Sequence, residues 1–318
     1  MENDFILSAN IERYSGSDSD YHGDKYHVSA SALKRLKKSP AHFKEEELEK
    51  ETEALLFGSA YHCFVLEPER FKSDYYIFDD SIQCEAIIAK GYAEGKEVKN
   101  VRATKEYKTW KDQEMSFNDG KILLDKYDYE RLVAMKERLF KHPYVKMLLS
   151  GGINEQSYMG TIETQSGSIP VKIKPDHINE HKKFIVDLKT CFDASLDGFT
   201  RAAADMDYQI QAAFYSDIME LVSGDQRRYD FYFIAQEKKP PYAFNLFECG
   251  PQFISQGRFE YELLLGLYKH CTDNNYWPGY QVWCQNKYGI LELKLPPWAI
   301  KDVNWYDHIT KTSIINPN

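Results

Sequence analysis

The sequence predicts an α/β or α+β domain in which helices surround a central block of strands. Three features carry that expectation. After Gly151-Gly152, three strand-like runs follow one another at residues 155–163, 169–178 and 184–190, with a turn at Gln165–Ser168. Phe184, Ile185 and Val186 are apolar on both faces of their strand, which places it in the middle of the sheet. Helical periodicity dominates before this block and resumes after it.

Taken in order, residues 1–25, which include the polar stretch Gly16–Asp20, are expected to be a loose arm. Residues 26–318 are expected to be one domain, with a helical N-terminal half wrapped over the sheet. No repeat, low-complexity tract or Pro/Gly/Ser-rich linker divides them. Ser29 and Ser31 precede a short helix that carries Leu33 and Leu36 on one side and stops at Pro40. An acidic helical run follows over 42–56, and residues 57–68 form a further helix ended by Pro68. Residues 85–145 are charged and helical in pattern, most clearly over 121–140. Beyond the strand block come a long helix from about Leu196 to Val222, strands at 229–235 and 244–249, and a helix over 252–273.

Lys and Arg number 40 against 49 Asp and Glu, a net charge of −9. That excludes a protein that holds nucleic acid by overall charge and leaves a local basic groove open. Aromatic residues at 14% are too many for a disordered chain. A mean hydropathy of −0.57 comes without any apolar run long enough to span a bilayer. The first twenty residues lack a basic segment followed by an apolar one, so no secretion signal is expected and the compartment is taken as the cytoplasm. The six cysteines, Cys63, Cys84, Cys191, Cys249, Cys271 and Cys284, form no C-x-x-C pair and read as reduced thiols. The spacing of the last three is too open for an iron–sulfur cluster, and none is expected.

The chemistry concentrates in Lys174–Lys189. Side chains alternate along a strand, so Lys172, Lys174 and Asp176 share one face, and Asp187 and Lys189 share a face on the next strand. With an even-length turn about His181-Lys182, Asp176 lies opposite Asp187, with Cβ atoms about 4.5–5.5 Å apart; an odd turn would put them on opposite faces. Two buried, facing carboxylates are strongly unfavourable unless they share a proton or a cation. Hard oxygen donors favour Mg²⁺ or Mn²⁺, and the Leu188 carbonyl offers a third ligand. Lys189 beside the ion is placed to orient or deprotonate an attacking water. Carboxylates, metal and lysine together suit phosphodiester hydrolysis, whereas a D-x-K triplet by itself also suits a solvated salt bridge.

On the helix that follows, Tyr208, Gln211 and Tyr215 fall on one face, where an amide and phenol hydroxyls would meet a phosphate or the lysine. The alternative is that the tyrosines merely pack. His62 lies in the small-residue stretch Gly58–His62, as a ligand or as a core histidine. Glu155 opens the first strand, as a further acidic ligand or as an exposed strand-end carboxylate.

These pieces resemble the PD-(D/E)XK nuclease superfamily, and within its RecB-like branch the RecE-type exodeoxyribonucleases (exonuclease VIII) of phages and prophages. Pro175-Asp176 with Asp187-Leu188-Lys189 resembles the active hairpin, Gln211-x-x-x-Tyr215 the Q-x-x-x-Y helix, and Gly58-x-x-x-His62 the upstream histidine. The segment at 58–71, the early stretch at 29–43 and the tail at 276–299 are similar to further blocks of the RecE type, so the likeness runs from about residue 26 to 305. It implies a restriction-endonuclease-like core with a central mixed β-sheet flanked by helices. It also implies a catalytic metal, Mg²⁺ with Mn²⁺ as substitute, held by Asp176, Asp187 and the Leu188 carbonyl, with His62 helping to hold a second ion. Lys189 would act on the water, Gln211 and Tyr215 would position lysine and phosphate, and Glu155 matches a less constant acidic position.

The activity implied is 5′→3′ degradation of one strand of linear double-stranded DNA, leaving a 3′ single strand for recombination by a RecT-type annealing protein. A homo-oligomeric ring, tetrameric in the RecE type, is implied as well. Local basic clusters at Lys34–Lys38 and Lys99–Lys111 would line the DNA groove, with Ser31, Lys34, Arg102 and Lys105 as the assigned contacts. The same residues also suit an endonuclease or single-strand nuclease of the RecB-like branch. A DNA-end-binding module without catalysis is the third reading, and it has no use for two opposed carboxylates.

Overall fold

Residues expected to form a loose arm instead begin a sheet. Strand β1 (Ile6–Arg13) pairs antiparallel with Tyr158–Thr164, with a register shift between Ile6 and Ser8, and buries Ile6. The short helix α1 (Asp18–Gly23) follows, its first turn capped by the Ser17 side chain. This computed structural model describes residues 5–45, 52–224, 228–280 and 290–299. Chain contacts divide it into a unit from Met1 to Trp277 and a second from Pro278 to Asn318. The expected single body over 26–318 therefore differs at both ends. In the second unit, described residues Pro297–Ala299 form a 3₁₀ turn. Cys284 and part of the tail motif lie outside the described residues, as does part of the acidic run at 42–56.

Serines and prolines punctuate the helical half. Ser29 caps α2 (Ala30–Lys38), whose Leu33 and Leu36 are fully buried, and Ser39 with Pro40 starts α3 (Pro40–Lys44). Thr52 caps α4 (Glu53–Leu66), and Pro68 opens α5 (Pro68–Asp74). The charged stretch that follows holds α6 (Ser81–Ala93), α7 (Lys105–Phe117), α8 (Lys126–Phe140) and α9 (Pro143–Leu148). It also holds a feature the periodicity does not announce: β2 (Tyr75–Phe78) and β3 (Ile122–Asp125) form a two-stranded parallel sheet.

The strand block has more pieces than expected. β4 (Ile153–Asn154) and β5 (Tyr158–Thr164) are followed by a tight hairpin into β6 (Gly167–Ile173). The run expected as one strand over 169–178 breaks at Lys174-Pro175-Asp176 and resumes as β7 (His177–Asn179), which belongs to a different sheet. Pro175, with no N–H to give a ladder, sits at that break. β8 (Phe184–Cys191) is the central strand of the five-stranded sheet β10-β9-β8-β7-β4, antiparallel to β7 and parallel to β9 (Asp230–Glu237), with β10 (Phe244–Glu248) beyond. The other sheet runs β1-β5-β6. The mixed central sheet matches the expected fold class.

The predicted long helix is two: α10 (Leu196–Asp205) and α11 (Tyr208–Ser223). The break falls at Asp207, which takes the left-handed conformation (φ 53°) that aspartate tolerates better than most side chains. Its carboxylate bonds Lys37 and Gln209. Helix α12 (Pro251–Asp273) packs on α11 so closely that a Cβ on Gly257 would stand 1.9 Å from the Gln209 carbonyl oxygen.

Two apolar clusters flank β8. Ile185 joins Phe231 and Phe233 of β9 and residues of α2, α11 and α12, while Phe184, Val186 and Leu188 join α4, α8 and α9. Alternation along β8 therefore sends Asp187 and Lys189 to the same side as Ile185, the side packed by α11.

Candidate active site

The hairpin register is the even one. His177 pairs with Val186 and Ile178 with Ile185, so the ladder extended by one residue sets Asp176 opposite Asp187. The Leu188 backbone N–H donates to Asp176 Oδ2 at 2.7 Å, and His62 Nδ1 from α4 lies 3.3 Å from the same oxygen. Glu155, between β4 and β5, takes a left-handed backbone conformation (φ 52°), and its N–H donates to the Asp176 carbonyl at 3.0 Å. That conformation is costly for glutamate, and the bond to Asp176 helps to hold it. Ligand atoms of His62, Glu155 and Asp176 all lie within 4.8 Å of one another.

Asp187, 1% exposed, is tied on both oxygens. Lys189 Nζ approaches Oδ1 at 2.5 Å, and Gln211 Nε2 donates to Oδ2 at 2.6 Å. Lys189 Nζ also donates to Gln211 Oε1 at 3.3 Å and lies over the Tyr208 ring, 4.8 Å from its centroid. Gln211 is thus a bridge whose amide holds both partners. Tyr215, one turn on, is buried, and burial pushes its hydroxyl well above the ordinary tyrosine range.

Charge is unevenly distributed among these groups. Burial and the neighbouring Asp176 raise the Glu155 carboxyl to about 7. Burial alone would depress His62, but the negative charge and hydrogen bond of Asp176 outweigh it and carry the imidazole to about 9. Burial works against ionised Asp176, yet His62, Lys189 and the Leu188 N–H keep its carboxyl below the ordinary value. Burial and Asp176 raise Asp187, and the two aspartates outweigh burial to hold Lys189 charged. This pattern suits a divalent cation. Donors on opposite sides of Mg²⁺ stand about 4.2 Å apart, close to the spread of the His62, Glu155 and Asp176 atoms. A doubly positive ion there would favour the ionised carboxylates and the neutral, ligating imidazole.

A second layer holds Glu155. Lys174 Nζ bonds Glu155 Oε2 at 3.1 Å and Asp18 Oδ1 at 2.7 Å, and Asp18 pairs in turn with Arg70 at 2.5 Å. Sequence reasoning placed Lys174 beside Asp176 but missed Asp18, whose partner is 156 residues away. A cavity of about 670 Å³ counts Glu155, Asp176 and Tyr215 in its lining, together with Ser31, Arg35 and Lys44.

Of the four assigned DNA contacts, the structure brings Ser31 to the cavity and Lys34 to the carboxylate site. Lys34 Nζ lies 5.0 Å from the centroid of the Tyr208 ring, and burial, with Lys189 nearby, lowers its ammonium to about 8. Arg102 lies in a 3₁₀ turn (Val101–Ala103) just before α7 and Lys105 opens α7, and neither lines the cavity. The Arg102 guanidinium is bidentate on Asp80 at 2.7 and 3.1 Å. Leu188 also offers its N–H to Asp176, an atom the sequence reading did not use. The five cysteines among the described residues are free thiols. Among those residues no helix is long and apolar enough to cross a membrane.

A family model described as a PDDEXK-like domain of unknown function (DUF3799) matches residues 29–287. No curated protein matches the chain. Among solved structures, a "Putative exonuclease" from Eubacterium rectale superposes with a TM-score of 0.52 at 16% identity, covering 92% of this chain and 98% of that one. That likeness is one of fold. Rai1 from Scheffersomyces stipitis, crystallised with (3′-NADP)⁺ and calcium, gives a TM-score of 0.24 at 11% identity over 85% of this chain and 82% of that one, too low to carry an argument.

Proposed function

The chain belongs to the PDDEXK-like family DUF3799, and from that premise we propose that it is a metal-dependent exodeoxyribonuclease that degrades one strand of linear duplex DNA in the 5′→3′ direction. One observation carries the reading. Asp176 faces Asp187 across a central hairpin, with His62, Glu155 and Lys189 gathered around them. Such a set is costly to bury without a cation and has an evident use with one.

His62, Glu155 and Asp176 would hold the ion, joined by Asp187 and the Leu188 carbonyl. Bound there, Mg²⁺ or Mn²⁺ supplies charge stabilisation for the phosphate and acidifies a water. Lys189, held by Gln211 and Asp187, orients that water toward phosphorus and stabilises the charge that grows on the phosphate oxygens. The phosphodiester takes up one water and leaves one phosphate end and one hydroxyl end. The product is a duplex with a 3′ single-stranded tail, the substrate of a RecT-type annealing protein. A homo-oligomeric ring is the assembly this reading favours.

Linear duplex labelled at either the 5′ or the 3′ end, digested with and without Mg²⁺, tests the reading alongside Asp187→Ala and Lys189→Ala. Early release of the 5′ label, loss of cleavage without metal and inactive variants are expected. First release from the 3′ end refutes the polarity, and full activity in both variants refutes the site.

A further inference from the structure

Lys34 is a charged group near the carboxylates that the mechanism above leaves without work. It projects from α2, half-buried, toward the Tyr208 ring at 5.0 Å, the same ring that Lys189 approaches at 4.8 Å. The two ammoniums are therefore no more than about 10 Å apart. Every nearby acid is engaged elsewhere. Asp187 is held by Lys189 and Gln211, and Asp207 by Lys37 and Gln209. Lys37, one turn further along α2, also pairs with Glu260. Among the described residues Lys34 makes no hydrogen bond or ion pair, so its three N–H donors meet the Tyr208 π surface beside the carboxylate site with no protein acceptor.

Repulsion between two neighbouring ammoniums, one of them unpaired, is a poor way to stabilise a fold. An anion placed between them removes the cost. We infer that Lys34 is a phosphate-contacting residue that grips a non-bridging oxygen of the phosphodiester under attack, across that phosphate from Lys189, with the Tyr208 ring flanking both lysines. This rests on the nuclease reading for the identity of the anion as a DNA phosphate. The basic run on α2 then serves two ends, with Lys37 fastening α2 to α11 and α12 and Lys34 handling substrate.

The test compares Lys34→Met, which keeps the stem and loses the charge, with Lys34→Arg, which keeps the charge. Cleavage of linear duplex is measured in Mg²⁺, and binding of a fluorescent 5′-phosphorylated duplex is measured in Ca²⁺ over a range of KCl concentrations. Lys34→Met is expected to lose about 10–100-fold in kcat with a smaller change in KM, and its log Kd against log salt should flatten by about one. Lys34→Arg should recover most of both. Wild-type behaviour in Lys34→Met overturns the inference, as does an Arg variant no better than Met, which would mark a packing role against Tyr208. If the wild type binds duplex but cleaves none, the nuclease reading fails while the salt slopes still decide Lys34. If it binds no duplex, both fall.

Discussion

Lowering the pH from about 7 to 4 should cost this protein stability through one buried side chain, His177. The ring is 1% exposed, beside Asp176 in sequence but on the opposite face of β7. Its Nδ1 lies 2.6 Å from Asn154 Oδ1, and the Asn154 amide donates to the Leu66 carbonyl at the end of α4, 2.6 Å away. Asn154 Oδ1 can only accept, so Nδ1 carries the proton, and among the described residues the buried Nε2 has no partner. Protonation would put a second N–H, and a charge, where no described residue accepts it. Gly152 lies so close that a Cβ there would stand 2.6 Å from Nε2. Burial accordingly depresses the imidazole from 6.5 to about 4.

The unfolded chain binds that proton below about 6.5 and the folded chain refuses it until about 4. Stability from this group is complete above 6.5, falls as the pH drops, and is gone below 4. At about 1.4 kcal/mol for each tenfold change in proton affinity, the loss is roughly 3 kcal/mol. Urea unfolding of wild type and of His177→Gln, whose amide can still donate to Asn154, would be followed by circular dichroism at half-unit pH steps. The variant should be less stable at pH 7, yet its stability should fall by about 3 kcal/mol less between 6.5 and 4. Curves that run parallel through this window would refute the reasoning, because every other acid and base is common to both proteins.

Two further outcomes follow from the site. Gln211→Leu removes the donor to Asp187 Oδ2 and the acceptor of Lys189, and should lower kcat on linear duplex by about 10–100-fold with KM little changed; steady-state kinetics on end-labelled duplex checks it. Glu155→Gln keeps the shape of the side chain but removes its negative charge from the cluster with His62 and Asp176. Mn²⁺ affinity, read by electron paramagnetic resonance, should weaken about 10–100-fold, while thermal stability in the absence of metal holds or rises.

Much of this site was legible because its geometry is local. Asp176 and Asp187 are eleven residues apart on one hairpin, and a strand period of two with an even turn was enough to set them face to face. Gln211 and Tyr215 share a helix face whatever happens upstream, so the unforeseen break at Asp207 left that expectation intact. Features that depend on distant partners were not legible. β1 draws its identity from β5, some 150 residues later, and Ile6-Leu7 with Ile11 is too sparse a pattern to read alone. β2 and β3 are four residues each and lie between helices that mask them. In the run Lys34-Arg35-Leu36-Lys37-Lys38 the letters are nearly equivalent. Only packing against α11 and α12 sends Lys37 to Asp207 and Glu260 and Lys34 to Tyr208. The split between β6 and β7 did have a signal, Pro175, which the smooth run of alternating residues outweighed.

The family match begins at residue 29, inviting truncation there, yet β1 and α1 lie upstream of that boundary. Removing them would strip one flank of β5, leaving its backbone N–H and C=O groups along Tyr158–Thr164 open to solvent. Such an uncovered edge is a template for any other extended chain, and the shortened protein is expected to aggregate. Lys174 would lose Asp18 in the same cut. A lack of activity in that protein would then report a damaged scaffold and say nothing about the chemistry.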